Sequence, residues 1–125
     1  MSPARLPAAL EATALIRLAE SRGGFGMVLH RGEPDSGTIL IVILDNQGFG
    51  QTQARLFERL PHADGTRGWA LTKVQDPEKK ADFEDYLNRR VAQDRDAWIV
   101  ELTIAEGEQF ILNLGRDENK PGFMG

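Results

Sequence analysis

Thr38-Ile39-Leu40-Ile41-Val42-Ile43-Leu44 is the stretch that decides the fold. Six of its seven residues are Ile, Leu or Val, and they occupy both side-chain parities. Successive side chains of a strand point to opposite faces of a sheet, so this strand needs cover on both sides. It marks the centre of the sheet. Just upstream, Phe25-Gly26-Met27-Val28-Leu29-His30 reads as a strand, joined to it by the turn formers of Gly32-Glu33-Pro34-Asp35-Ser36-Gly37. Downstream, Asp45-Asn46-Gln47-Gly48-Phe49-Gly50 reads as a loop, and a third strand runs from Gln53 to Leu60. In that strand Arg55, Phe57 and Arg59 share one face, while Ala54, Leu56 and Leu60 share the other. After a turn at Pro61 and Asp64-Gly65 comes a fourth strand, Trp69-Ala70-Leu71-Thr72-Lys73-Val74.

Two helices flank this meander. Pro7 suits a first helical position, and Ala8 to Ser21 is rich in helix formers. Leu10, Ala14 and Leu18 lie on one stripe of it, with Leu15 on the flank, and Gly23-Gly24 provides the stop. Asp76-Pro77-Glu78 is a helix start, and Phe83, Tyr86, Leu87 and Val91 form the stripe of a helix running to Gln93. Ala97-Trp98-Ile99-Val100-Glu101-Leu102 is a fifth strand, placed beside either the fourth or the first. Gln109 to Leu114 is apolar enough for a last short strand or helical turn. The expectation is an α+β fold of order α-β-β-β-β-α-β, an antiparallel sheet of four to six strands with two helices. Its core comprises Ile39, Leu40, Ile41, Val42 and Ile43 with Phe83, Leu87, Trp98 and Val100. Residues 1–114 make a single domain, and the polar, breaker-rich residues 115–125 read as a mobile tail.

With 125 residues the chain suits one domain that needs no disulfide or structural metal to fold. It has 19 acidic and 15 basic side chains, a net charge of −4 that disfavours non-specific nucleic-acid binding. The absence of cysteine removes thiol catalysis, Fe–S clusters and cysteine-based zinc sites. No apolar stretch reaches the ~20 residues of a membrane span. Met1-Ser2-Pro3-Ala4-Arg5-Leu6-Pro7 lacks the apolar segment of a signal peptide, so a cytoplasmic location is expected.

Several short motifs, in order, carry a resemblance: Arg5-Leu6-Pro7, Gly23-Gly24-Phe25, and His30-Arg31-Gly32-Glu33-Pro34-Asp35-Ser36-Gly37. They continue with Ala54-Arg55-Leu56-Phe57-Glu58-Arg59, Trp69, Tyr86-Leu87, Arg89-Arg90 and Asp96-Ala97-Trp98-Ile99-Val100-Glu101. This order resembles the short bacterial proteins of the family known as domain of unknown function 1491. The resemblance implies a stand-alone bacterial domain and brings no activity, ligand or catalytic residue with it.

Each chemical constellation meets a simpler structural reading. Arg22-Gly23-Gly24-Phe25-Gly26 follows a helix and precedes a strand, the reverse of a phosphate loop's polarity, so it ends the helix. Gly48-Phe49-Gly50 is not followed by a helix and is no dinucleotide fingerprint. His30 and His62 are the only histidines, and neither has ligand spacing to Glu33 or Asp64 on a single element, so no metal is expected. Serine occurs only at positions 2, 21 and 36, and Ser36 reads as a turn-capping hydroxyl rather than a nucleophile. Helix-two acids Asp82, Glu84 and Asp85 mix with Lys79 and Lys80 as a solvated face would. Arg90 interrupts the helix-two stripe and either reaches an acid such as Glu101 or extends its guanidinium past the edge.

One strip is left with functional promise. Arg55 and Arg59 flank Phe57 on a single sheet face, with Arg67 just before strand four, a pattern that can bind phosphate and stack on bases. The leading reading is a small non-enzymatic interaction or regulatory protein that acts by protein–protein contact. The alternative is nucleic-acid or anion binding through Arg55, Phe57, Arg59 and Arg67, and an unrecognised enzyme comes third. No cofactor is expected. If both helices lie on one face, the other is free for a symmetric homodimer.

Overall fold

The computed structural model describes residues 6–48, 51–61, 63–65 and 67–118. Phe49 and Gly50 of the expected loop, His62, Arg5 and residues 119–125 of the expected tail lie outside the described residues. The elements are α1 (Ala8–Ser21), β1 (Phe25–His30), β2 (Ile39–Gly48), β3 (Gln51–Pro61), β4 (Arg67–Val74), α2 (Lys80–Gln93), β5 (Trp98–Thr103) and α3 (Gly107–Glu118). The α+β class and the order α-β-β-β-β-α-β hold, with a third helix added at the end.

The sheet runs β1-β5-β2-β3-β4. β5 enters between β1 and β2, antiparallel to β1 and parallel to β2, so the sheet is mixed rather than wholly antiparallel. The cause lies in the side chains of β5. Trp98, Ile99, Val100 and Leu102 are apolar on both parities and almost fully buried, as are Ile39 to Ile43 of β2. Two strands buried on both faces belong side by side at the centre.

Helices cover both faces. One face of β2 and β5 (Ile39, Ile41, Ile43, Trp98, Val100, Leu102) packs against α1 and α3, together with Phe57. The other face (Leu40, Val42, Ala54, Leu56, Ile99) packs under α2 through Phe83, with Tyr86, Leu87 and Val91 against it. The stripe of α2 is thus the expected one, although its helix begins at Lys80. The Asp76 carboxylate first accepts the Glu78 N–H at 2.9 Å and makes a separate turn.

The α1 stripe differs from expectation. Ala8, Glu11, Ala12, Leu15 and Ala19 are buried, whereas Leu10 is exposed. Three alanines spaced at four and seven residues let the helix axis sit close to the sheet, and the bulkier Leu10 turns outward. Gly23, with φ of 84°, ends the helix in the left-handed conformation.

α3 is where the sequence pattern was read too short. Phe110, Ile111 and Leu114 form a buried stripe on a helix that continues through Gly115 to Glu118. The β2–β3 hairpin is longer than expected, since Asp45 to Gly48 and Gln51 to Gln53 remain paired.

The His30–Gly37 motif has a packing role. Pro34 and Asp35 carbonyls accept the Ala9 and Ala8 N–H groups at 2.9 and 3.1 Å, so this loop caps α1. Glu33 donates its N–H to the Asp96 carbonyl at 3.0 Å, and its own carbonyl accepts the Trp98 indole N–H at 2.8 Å. A Cβ at Gly32 or Gly37 would collide with the Asp96 carbonyl, which is why both are glycine. The motif fastens the start of β5 to the start of α1.

Candidate functional site

Arg55, Phe57 and Arg59 do come together on one face of β3, beneath α1 and α3. Arg59 pairs with Glu11 of α1 and lies over the Trp69 ring at 4.4 Å. Arg55 pairs with Asp45 of β2 and Glu108 of α3, each at 2.8 Å. Phe57, 5% exposed, presents no ring face on which a base could stack. Arg67 sits apart from them, exposed at the start of edge strand β4 and opposite Pro61.

The opposite face of β3 carries a fourth pair, made by a third arginine. Arg90 of α2 reaches Glu58, not Glu101, with Nη2 donating at 2.6 Å and Nε at 3.2 Å. Thr72 Oγ1 donates to the other oxygen of Glu58 at 2.6 Å. The hydrogen bonds from Arg90 to Glu58, together with the Glu58 charge, hold the guanidinium above its ordinary pKa. Each helix is therefore bound to β3 by an arginine–carboxylate pair: α1 through Glu11, α3 through Glu108 and α2 through Arg90. The arginines of the motif Ala54–Arg59 join layers.

A different region remains open. α2 covers β2, β3 and the first half of β5, but not the second half of β5 or β1. On that uncovered flank the edge strand β1 turns Phe25 (61% exposed) and Met27 (52%) outward, followed by Leu29 (43%) at a bulge in its pairing with β5. β1 contains no Lys, Arg, Asp or Glu, whereas the opposite edge, β4, carries Arg67 and Lys73. Charged side chains are the usual guard on a sheet edge, and on β1 only the bulge is present.

Beside β1, a groove of about 400 Å³ runs toward α2, walled by Leu29, Val42, Leu44, Phe83, Leu87 and Ile99. Its polar lining is His30, Gln75, Glu84, Asn88 and Glu101, without a lysine or arginine. His30 Nδ1 donates to the Ala97 carbonyl at 2.9 Å. Glu101 lies between Met27 of β1 and Val42 of β2. Burial among these apolar neighbours pushes its carboxyl above the usual carboxylate range. Reading the sequence missed this site. Its one available signal is an acid inside the apolar run Trp98-Ile99-Val100-Glu101-Leu102.

Among the described residues no three His, Cys, Asp or Glu side chains gather closely enough to hold a metal ion. No helix among them is long and apolar enough to cross a membrane.

A mixed five-stranded sheet with helices on both faces, three arginine bridges on one strand and one unguarded edge defines a small α+β domain. The chain belongs to the family described as "Protein of unknown function (DUF1491)", whose model matches residues 6–112. A crystal structure of a DUF1491 family protein from Caulobacter crescentus is 30% identical, with a TM-score of 0.68 over 79% of this chain and 88% of that one. An NMR structure of a DUF1491 family protein from the same organism gives 30% identity and a TM-score of 0.69, covering 87% of this chain and 94% of that one. The solution structure of protein Atu0922 from A. tumefaciens shares the fold at 24% identity, with a TM-score of 0.63 over 82% and 89% of the two chains. No curated protein matches the chain.

Proposed function

We infer that this is a bacterial, cytoplasmic binding module that works by protein–protein contact rather than by catalysis. The observation that carries this reading is β1, an edge strand without a charged residue whose Phe25 and Met27 side chains are more than half exposed. Such an edge offers both unpaired backbone groups and apolar side chains to another chain. The solved family members from Caulobacter crescentus support the bacterial part of the reading.

The alternative, anion or nucleic-acid binding by Arg55, Phe57, Arg59 and Arg67, draws less support. Two of its cations already engage Asp45, Glu108 and Glu11, and its aromatic ring is buried. A phosphate would have to displace those carboxylates first.

Met27→Lys tests the reading, because it places the missing guard charge on β1 at an exposed position. Proteins captured from the host by the wild type are expected to be lost with M27K while the melting curve is retained. An identical set of partners on both proteins would overturn the role of β1.

A further inference from the structure

The sheet-facing carboxylates follow a pattern with one exception. Among the described residues Glu11, Asp45 and Glu58 are the buried acids, and each meets an arginine: Arg59, Arg55 and Arg90 respectively. Glu101 faces the sheet as they do, between Met27 and Val42, yet it has no ion pair or hydrogen bond among the described residues. Arg90, on the helix that covers this face, is committed to Glu58. The groove holds a second carboxylate, Glu84, and no lysine or arginine. A carboxylate half removed from water without a partner is unfavourable, and a cation brought to it from outside relieves that.

The geometry points to an extended segment of a partner protein that pairs with the outer edge of β1 and sets a lysine or arginine against Glu101. This inference rests on the reading of β1 as a docking edge. Neighbouring strands lie about 4.8 Å apart, so an added strand would run roughly 10 Å from β5, within reach of a long cationic side chain facing Glu101. On that face the aliphatic stems of its long cationic side chains would lie over Phe25 and Met27, which now face water. Main-chain pairing supplies affinity in this mode, and the side-chain contact selects the sequence. A second copy of this chain is a poorer occupant, because Phe25–His30 has no lysine or arginine to offer across a strand pair.

Capped octapeptides of alternating valine and lysine, and of alternating valine and threonine, test the inference by titration into the isotope-labelled protein at neutral pH. The lysine peptide is expected to shift the amides of Phe25 to His30 and of Glu101. Glu101→Gln should weaken it about five- to ten-fold and leave the threonine peptide unchanged. Glu20→Gln, an exposed acid of α1, is the control for general attraction to an acidic protein and should change neither. Equal binding of the two peptides, or equal weakening by E101Q and E20Q, overturns the selection by Glu101 and leaves β1 as a docking edge. If neither peptide shifts β1 although M27K abolishes capture of native partners, the strand-addition mode is overturned and the docking edge survives. Loss of both results overturns the underlying reading as well.

Discussion

At the level of single residues, arginine and glutamate organise this domain through pairs whose partners are distant in sequence. Arg90→Met strands the Glu58 carboxylate, 9% exposed, with only the Thr72 hydroxyl as partner, and is expected to cost about 3 kcal/mol in urea unfolding. Glu58→Leu combined with Arg90→Met should return to within about 1 kcal/mol of wild type, since an apolar pair of similar volume removes both charges. A double variant as unstable as R90M would show that the pair itself, not the stranded charge, sets the effect. Glu33 gives the pH dependence. Its carboxylate accepts the Ser36 N–H, the Ser36 hydroxyl and the Asp35 N–H, which hold its pKa below the ordinary value. The folded state thus releases this proton more readily than the unfolded one, so its stabilisation is complete above the ordinary carboxylate pKa and is lost as pH falls through the folded value. Thermal midpoints measured from about pH 6 down to about pH 3 should fall less steeply in Glu33→Ala than in wild type. Equal slopes would remove Glu33 from the acid limb. The sequence named every arginine in these pairs, but periodicity cannot say which acid lies across a helix–sheet interface. Only the packing of α2 on β3 selects Glu58 over Glu101 as the partner of Arg90.

At the level of elements, legibility followed the completeness of the local signal. β2 is plain, because Ile39 to Ile43 are apolar on both parities, mostly β-branched and bounded by turn formers, as a central strand is. The Phe83-Tyr86-Leu87-Val91 stripe fixed α2 for the same reason. The position of β5 is a tertiary fact, yet its own composition pointed inward: Trp98, Ile99, Val100 and Leu102 fill both faces as β2 does. In α1 the leucines misled, since close packing selected Ala8, Ala12 and Ala19 and turned Leu10 to water. For α3 the glycine at 115 was taken as a boundary, although a glycine inside a helix only weakens it by about 1 kcal/mol. The Phe110, Ile111 and Leu114 stripe makes up that deficit. Phe110→Ala should consequently cost about 3–5 kcal/mol, as a buried aromatic of the main core does. A change below about 1 kcal/mol would mean that the last helix contributes little to the fold.

For the molecule as a whole, two-sided helical cover changes what assembly the sheet invites. A dimer was expected on the condition that both helices share one face, leaving the other bare. Instead α1 and α3 lie on one face and α2 on the other, so neither face is left bare, and the exposed apolar side chains of the sheet lie toward its two edges, Phe25, Met27 and Leu29 on β1 and Leu60, Leu71 and Val74 on β3 and β4. A symmetric pair across β1 would set Met27 near its own copy and bring two uncompensated Glu101 carboxylates to the same side of the joined sheet. Six residues of edge strand also offer much less than the roughly 800 Å² per partner of a stable specific interface. Sedimentation velocity at low micromolar concentration is therefore expected to show the monomer, for wild type and M27K alike. A dimer that M27K dissociates would identify the partner of β1 as the chain itself. A dimer indifferent to M27K would place the contact elsewhere and leave β1 free for another protein.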